Sequence, residues 1–343
     1  MKRSVFFCAL ILGVMIAACN TSTKKEGAYG IQNDIEKMGY RGAVKGVKIE
    51  EFIPDTRAGQ GLALGKTATL SFDNDGRLLS SIGLGEVNKT CFYGKNGKVR
   101  EIVELYHGIK MHAFHSYDSR GNCTKIDLYK VHNGDSALVE ERVMKYNDKD
   151  SIISYHARPK SDDMIQTTIF YEYDKNDCFV EKRVYSALVS EKLNLEGDPI
   201  TRIRAKFDDL KRPVEIDKFS LVEELYTKQI EYNEHGHIIK EIILKPEAAS
   251  QEFTYHYTYG DNGKKVEAYT LRDGVRVEQV KYNDEGEPTL IEVLNEEGQI
   301  KARYTYEYDA QGNVIVSVTA HLDADKGVLV DVYKEVKTIE YYE

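Results

Sequence analysis

The chain has 343 residues, a formal net charge of −9 at pH 7, 24 tyrosines against 11 phenylalanines, six prolines and no tryptophan. An acidic balance excludes the basic stripe that nucleic-acid binders need to displace counterions, so no nucleic acid is expected as a partner. Few prolines with frequent Tyr, Val, Ile and Thr favour strands over helices.

The first element in chain order is an export signal. Met1-Lys2-Arg3 precedes an uncharged apolar run from Val5 to Ala18, too short to span a bilayer but laid out as a secretory signal. Its end, Ile16-Ala17-Ala18-Cys19, resembles the lipobox of bacterial lipoproteins. That resemblance implies removal of residues 1–18 and lipid on Cys19; the plain alternative is an ordinary signal cleaved nearby. An acylated terminus holds a protein on a leaflet without a spanning helix. Asn20 is not the Asp that retains some lipoproteins at the inner membrane, which by the same resemblance favours the outer membrane. Lys24-Lys25-Glu26 is not the acidic run of some surface lipoproteins, and periplasm-facing and surface-exposed orientations both stay open. Residues 19–40 read as a lipidated polar tether, and 41–343 as a single repeat domain.

Val44, Val47, Ile49 and Phe52 mark a first strand or two before a Gly-rich loop at 58–65. A repeat then begins: an aromatic, next Asp, Asn or Gly, and Gly four positions after the aromatic. The clear copies are Phe72-Asp73 with Gly76, Tyr93-Gly94 with Gly97, Tyr117-Asp118 with Gly121, Tyr232-Asn233 with Gly236, Tyr259-Gly260 with Gly263, Tyr282-Asn283 with Gly286, and Tyr308-Asp309 with Gly312. Three degenerate copies, at Tyr146-Asn147, Tyr173-Asp174 and Phe207-Asp208, carry Asp150, Asp177 and Lys211 where Gly would stand. Ten copies result, 21 to 34 residues apart.

The unit has a local cause. Asp or Asn caps a bend with its own side chain, two right-handed residues follow, and Gly takes the left-handed position of a G1 bulge. Before the bend, Tyr304, Tyr306 and Tyr308, or Phe253, Tyr255, Tyr257 and Tyr259, alternate with polar residues, the period of a half-buried strand. Weaker turns fall between copies, at His132-Asn133-Gly134, Arg272-Asp273-Gly274 and Asn295-Glu296-Glu297-Gly298. Two turns per repeat give an antiparallel meander of about twenty strands, too many for an open sheet, which must curl or close on itself. Tyr and aliphatic side chains are expected inside, Lys and Glu outside. Stretches 157–165, 186–200 and 245–251 read as loops within one domain.

Tyr308-Asp309-Ala310-Gln311-Gly312-Asn313-Val314, with Tyr117 to Asn122 and Phe72 to Leu78 close to it, resembles the YD repeat of the Rhs family over roughly residues 66–343. The resemblance implies an all-β fold of tandem β-hairpins. Large members wrap such a strip into a shell around a toxin, or carry a variable C-terminal effector. This chain has fewer repeats and finishes on strand-like Thr338 to Glu343, so the resemblance extends to the repeat class and not to a toxin or effector domain.

Candidate chemistry is sparse. His112 and His115 have opposite parity on a strand, and His235 and His237 flank a turn glycine, so neither pair has ligand spacing and no metal or cofactor is expected. Asp162-Asp163, Asp208-Asp209 and Glu223-Glu224 have nothing to orient them toward a shared pocket. Asp73-Asn74-Asp75-Gly76 lacks the remaining ligands of a calcium loop. Cys91, Cys123 and Cys178 cannot all pair and read as small buried residues. Tyrosine stripes bind a glycan or peptide if they face solvent and are core if they face inward; core is the favoured reading. The expected function is a non-enzymatic envelope module for a protein or glycan partner. The alternatives are an envelope glycan or cell-wall hydrolase, and a reduced Rhs-like scaffold cradling a separate effector.

Overall fold

A computed structural model describes residues 34–55, 61–84, 87–221 and 223–343. The signal, Cys19 and most of the expected tether lie outside them. One short helix, α1 (Asp34–Lys37), precedes 22 strands. They are β1 (Val44–Pro54), β2 (Leu62–Phe72), β3 (Leu78–Ile82), β4 (Val87–Tyr93), β5 (Val99–Tyr106), β6 (Ile109–Tyr117), β7 (Cys123–His132), β8 (Asp135–Tyr146), β9 (Ile152–Pro159), β10 (Ile165–Tyr173) and β11 (Phe179–Leu188). The second half comprises β12 (Thr201–Phe207), β13 (Pro213–Ser220), β14 (Glu223–Tyr232), β15 (Ile238–Lys245), β16 (Ala248–Tyr259), β17 (Lys265–Arg272), β18 (Val275–Tyr282), β19 (Pro288–Leu294), β20 (Ile300–Tyr308), β21 (Val314–Asp323) and β22 (Val328–Tyr341).

Each strand pairs antiparallel with the next, and β22 pairs with β1, so the meander closes into a barrel. The turn chemistry explains the register. In all ten copies the aromatic pairs with the residue six positions on, as Tyr117 does with Cys123 and Tyr308 with Val314, and the register shifts just before it. That shift is the bulge, and it adds twist at the same end of every hairpin. Asp73 Oδ1 accepts from the amides of Asp75 and Arg77 at 3.0 and 2.9 Å, and Asn283 and Asp309 cap their bends the same way. Where Gly94 and Gly260 hold the first turn position, Asn96 and Asn262 accept instead. The bend at Asn295 to Gly298 is a further copy of this turn, with Leu294 in the aromatic's place, and not a weaker kind.

An eleventh hairpin is divided between the two ends of the described chain. Tyr341 pairs with Val44, the Tyr342 amide donates to the Ala43 carbonyl at 2.8 Å, and Gly42 has φ +84°. These are the pairing, the amide bond and the left-handed glycine that Tyr308, Asp309 and Gly312 show within one turn.

The folded part starts earlier than residue 41. Ile35 and Tyr40 are buried with Val44, Val47, Ile49, Ala68, Leu70 and Phe72, the described chain's principal apolar core, and the Asp34 carboxylate accepts from the Leu78 amide. Residues 34–40 therefore belong to the barrel and not to the tether, because an apolar helix face was available to bury. The stretch 245–251 is mostly strand, with a bend at 246–247, while 160–164 and 189–200 are connections.

Side chains separate by parity into two faces. Following partners around the ring, Cys91, Ile102, Ala113 and Leu128 share the face that carries α1, and Phe92, Glu101, Phe114 and Asp127 share the other. One groove on the first face touches α1 and residues from Tyr93 on β4 to Tyr155 on β9, so that face curves around it and is the inner one. Inward and outward residues are less cleanly sorted than the alternation suggests: Lys228, Glu241, Glu335 and Lys337 also sit inside, as ion pairs at 3.0 Å. The outer face carries cross-strand pairs such as Arg204 with Glu181 and Arg303 with Glu292. Neither face is thus an unbroken apolar band. No helix among the described residues is long and apolar enough to cross a membrane.

Candidate functional site

Among the described residues the inner wall is lined and not filled. Ile126, Tyr155, Ile216, Phe253, Tyr255, Tyr257, Tyr304 and Tyr306 all point inward, yet each is only half-buried. A packed interior would bury such large side chains completely. The tyrosines are therefore neither a solid core nor an outer stripe, and they form the surface of a lumen. A circular ring of this many strands at about 4.8 Å spacing and the usual tilt would be roughly 40–48 Å across.

Tyrosine hydroxyls join the repeats. Tyr93, Tyr117, Tyr146, Tyr173, Tyr232, Tyr257 and Tyr308 donate to the carbonyls of Leu78, Val99, Cys123, Ile152, Pro213, Ile238 and Pro288, all at 2.7–2.9 Å. Each acceptor except in its numbering is the same atom, the carbonyl of the residue paired with the preceding copy's aromatic. Burial, the main cause, raises the Tyr117 and Tyr257 hydroxyls to about 12. In the Tyr259 copy the neighbouring Tyr257 makes the joint, because the Tyr259 hydroxyl bonds His237 Nδ1 at 2.6 Å and Asn233 at 3.2 Å.

A groove of about 570 Å³ runs along this wall across four repeats. Tyr93, Tyr117, Tyr146 and Tyr155 supply ring faces, and Arg77, Lys98, His115 and Asp34 supply polar groups. Arg77 lies over the Tyr93 ring and Lys98 over the Tyr117 ring, with the cations 5.1 and 5.3 Å from the centroids. Arg77 is paired with Asp73 and Asp75 at 2.7 Å. Burial lowers the His115 pKa, so the ring is held neutral. Such a groove offers stacking and hydrogen bonds to a partner.

The remaining residues that the sequence singles out are scattered. His112 projects outward and His115 inward, while His235 and His237 lie 6.5 Å apart at a turn on a different part of the rim. Asp208 caps its own turn and is held below the usual carboxylate range by amide bonds and Arg212, while Asp162, Asp163, Asp209, Glu223 and Glu224 are exposed. Cys91, Cys123 and Cys178 are free thiols, and burial raises the first two. The turn positions Asp73, Gly76, Gly97, Asp118, Gly121, Asn233, Gly236, Gly263, Asn283, Gly286, Asp309 and Gly312 all stand on one rim, where the glycines have φ between +73° and +96°. Sequence reasoning missed the residue after each of these glycines, discussed below, and the inward ion pairs.

No family model matches the chain, and no curated protein does. Among solved structures it is similar to TcdB2-TccC3-Cdc42, at 13% identity over 83% of this chain and 16% of that one, with a TM-score of 0.49. TcdB2-TccC3 is 14% identical over 86% and 17%, with a TM-score of 0.48. A porin-like protein from Bacteroides uniformis is 12% identical over 87% and 96%, with a TM-score of 0.32. The chain spans about a sixth of the length of the first two.

Proposed function

We propose that this is an exported lipoprotein of the YD-repeat class, held on the outer membrane by lipid on Cys19, whose barrel is a non-enzymatic binding or scaffold module for a protein or glycan. The observation that carries the reading is the closed wall whose tyrosine-lined interior the described residues leave unfilled. Closure removes the free edges on which a sheet would recruit a strand, which leaves side-chain surfaces as the means of recognition.

The test is in-cell photo-crosslinking from a residue replaced on the inner wall, Tyr306, and from one on the outer wall, Glu307. The inner probe is expected to capture a partner that the outer probe does not. The reading is lost if neither wall captures anything reproducible, or if the purified protein degrades an envelope polymer and one point mutation stops it. The unfilled interior also favours the reduced scaffold cradling a separate effector; in that case the captured partner is a protein that resists protease while inside the barrel.

A further inference from the structure

The outer wall is laced with ion pairs over much of its circumference, for example Arg204 with Glu181, Lys240 with Glu252 and Arg303 with Glu292. One arc differs. On β4 to β7, Phe92, Glu101, Phe114 and Asp127 lie side by side on the outer face, and His112 and Tyr129 pair in the row beyond. Phe92 is 40% and Phe114 41% exposed, large fractions for rings in mid-sheet. Large exposed apolar areas on a soluble wall mark interaction surfaces.

The arrangement within the arc indicates what it contacts. Phe92 and Phe114 stand on either side of β5, two strand spacings or about 10 Å apart. Between them lies Glu101, whose Oε1 is 2.5 Å from Nδ1 of His112 in the next row of β6. Phe114 is held in place from both sides, stacked on His112 at 6.0 Å and set edge-on to Tyr129 at 5.7 Å. A protein interface has the inverse plan, with an apolar centre and a polar rim. Two fixed ring platforms with a carboxylate between them and an imidazole beside it instead suit a ligand in which apolar C–H faces and hydroxyls alternate along its length. A pyranose chain has that pattern, since successive rings present C–H faces to aromatic platforms while equatorial hydroxyls reach the carboxylate.

We propose that this outer arc of β4 to β7 is a glycan-binding platform for a neutral polysaccharide, with Phe92 and Phe114 as stacking surfaces and Glu101, oriented by His112, as the hydroxyl acceptor. It is separate from the inner wall, and neither reading depends on the other. The test is affinity electrophoresis of the full-length protein in gels containing amylopectin, xyloglucan, galactomannan or laminarin, with Phe92→Ala, Phe114→Ala and Glu101→Gln variants alongside. Both rings are exposed, so their removal leaves the fold intact, and circular dichroism melts check this. At least one polysaccharide is expected to retard the protein, with retardation insensitive to salt and affinity at least about tenfold weaker in each ring variant. Three results overturn the proposal: no retardation by any of the four, retardation that survives both ring substitutions, or sedimentation showing that the rings instead hold two copies of the chain together.

Discussion

The fourth position after each aromatic is left-handed whatever residue holds it. Asp150, Asp177 and Lys211, the three that are not glycine, have φ of 66°, 63° and 61°. At several copies the residue at the fifth position of the preceding copy reaches sideways along the rim to it. Lys98, Lys264 and Glu287 lie against Gly121, Gly286 and Gly312, and a Cβ on Gly121 would overlap the Lys98 ammonium, whereas Gly236 and Gly263 have open space beside them. Where that neighbour is short, as Asn122, Ser151 and Cys178 are, the fourth position carries a side chain. Asn122 Nδ2 donates to Asp150 at 2.6 Å, and Ser151 Oγ to Asp177 at 2.6 Å. The degenerate copies are therefore complementary to their neighbours and not merely worn. Lys211 has only a long bond to the Asn176 carbonyl, at 3.5 Å, so Lys211→Gly is expected to relieve strain and stabilise by about 0.5–1 kcal/mol. Asp150→Gly relieves the same strain but leaves buried Asn122 short of an acceptor and breaks the Arg120 ion pair, for a net loss of about 1 kcal/mol. Urea denaturation of the two variants decides: equal shifts in the same direction would refute the complementarity.

Between strands, the recurring hydroxyl-to-carbonyl bond explains why the aromatic is tyrosine in the six copies that make it, since phenylalanine fills the same space without joining one repeat to the last. Tyr117→Phe is expected to cost about 1 kcal/mol, the worth of one such bond, with the fold unchanged. The same bonds set an alkaline limit. A tyrosine whose folded pKa is raised to about 12, as in Tyr117 and Tyr257, contributes stability that is complete below the unfolded value of about 10 and is lost as pH rises through the folded value. Phenolate absorbance should therefore lag that of free tyrosine between pH 10 and 12 and then rise together with loss of the strand signal in circular dichroism. A titration that follows free tyrosine would show that the hydroxyls are not held. Turn, strand parity and repeat period were legible in the residues because they depend on neighbours within seven positions. The inward placement of Tyr304 and Tyr306 was legible as parity, but their incomplete burial was not, because it depends on the far wall of the barrel. Nor did the outer position of Phe92 and Phe114 stand out, since both are off the parity of the repeat's own aromatic.

At the scale of the whole molecule, stability turns on how the ring is shut. An open sheet of this length would expose β1 and β22 as two bare edges, a template for aggregation. The divided eleventh hairpin covers both. Around it the structure spends more side-chain bonds than at other joints: Asn313 Nδ2 donates to the Arg41 carbonyl at 2.9 Å and to the Tyr341 hydroxyl at 2.7 Å, Tyr342 donates to the Phe72 carbonyl at 2.7 Å, and Arg41 pairs with Glu287. Burial and the Asp309 carboxylate raise the Tyr341 hydroxyl to about 12, so it remains a donor at neutral pH. Unlike the other turns, this one has no peptide bond holding its halves at high effective concentration, and side chains must supply what the covalent link supplies elsewhere. The seam is thus the joint whose local opening depends most on side chains, even though its strands carry the apolar core. Gly42→Val places a branched side chain at a left-handed φ and against the Tyr341 ring, 3.3 Å from its nearest carbon. Hydrogen exchange of this variant should show amides of β1 and β22 losing protection first, with β5 to β20 unchanged, followed by concentration-dependent association as the freed edges pair. Uniform loss of protection around the ring would mean that the barrel opens as a single unit and that the seam has no separate role.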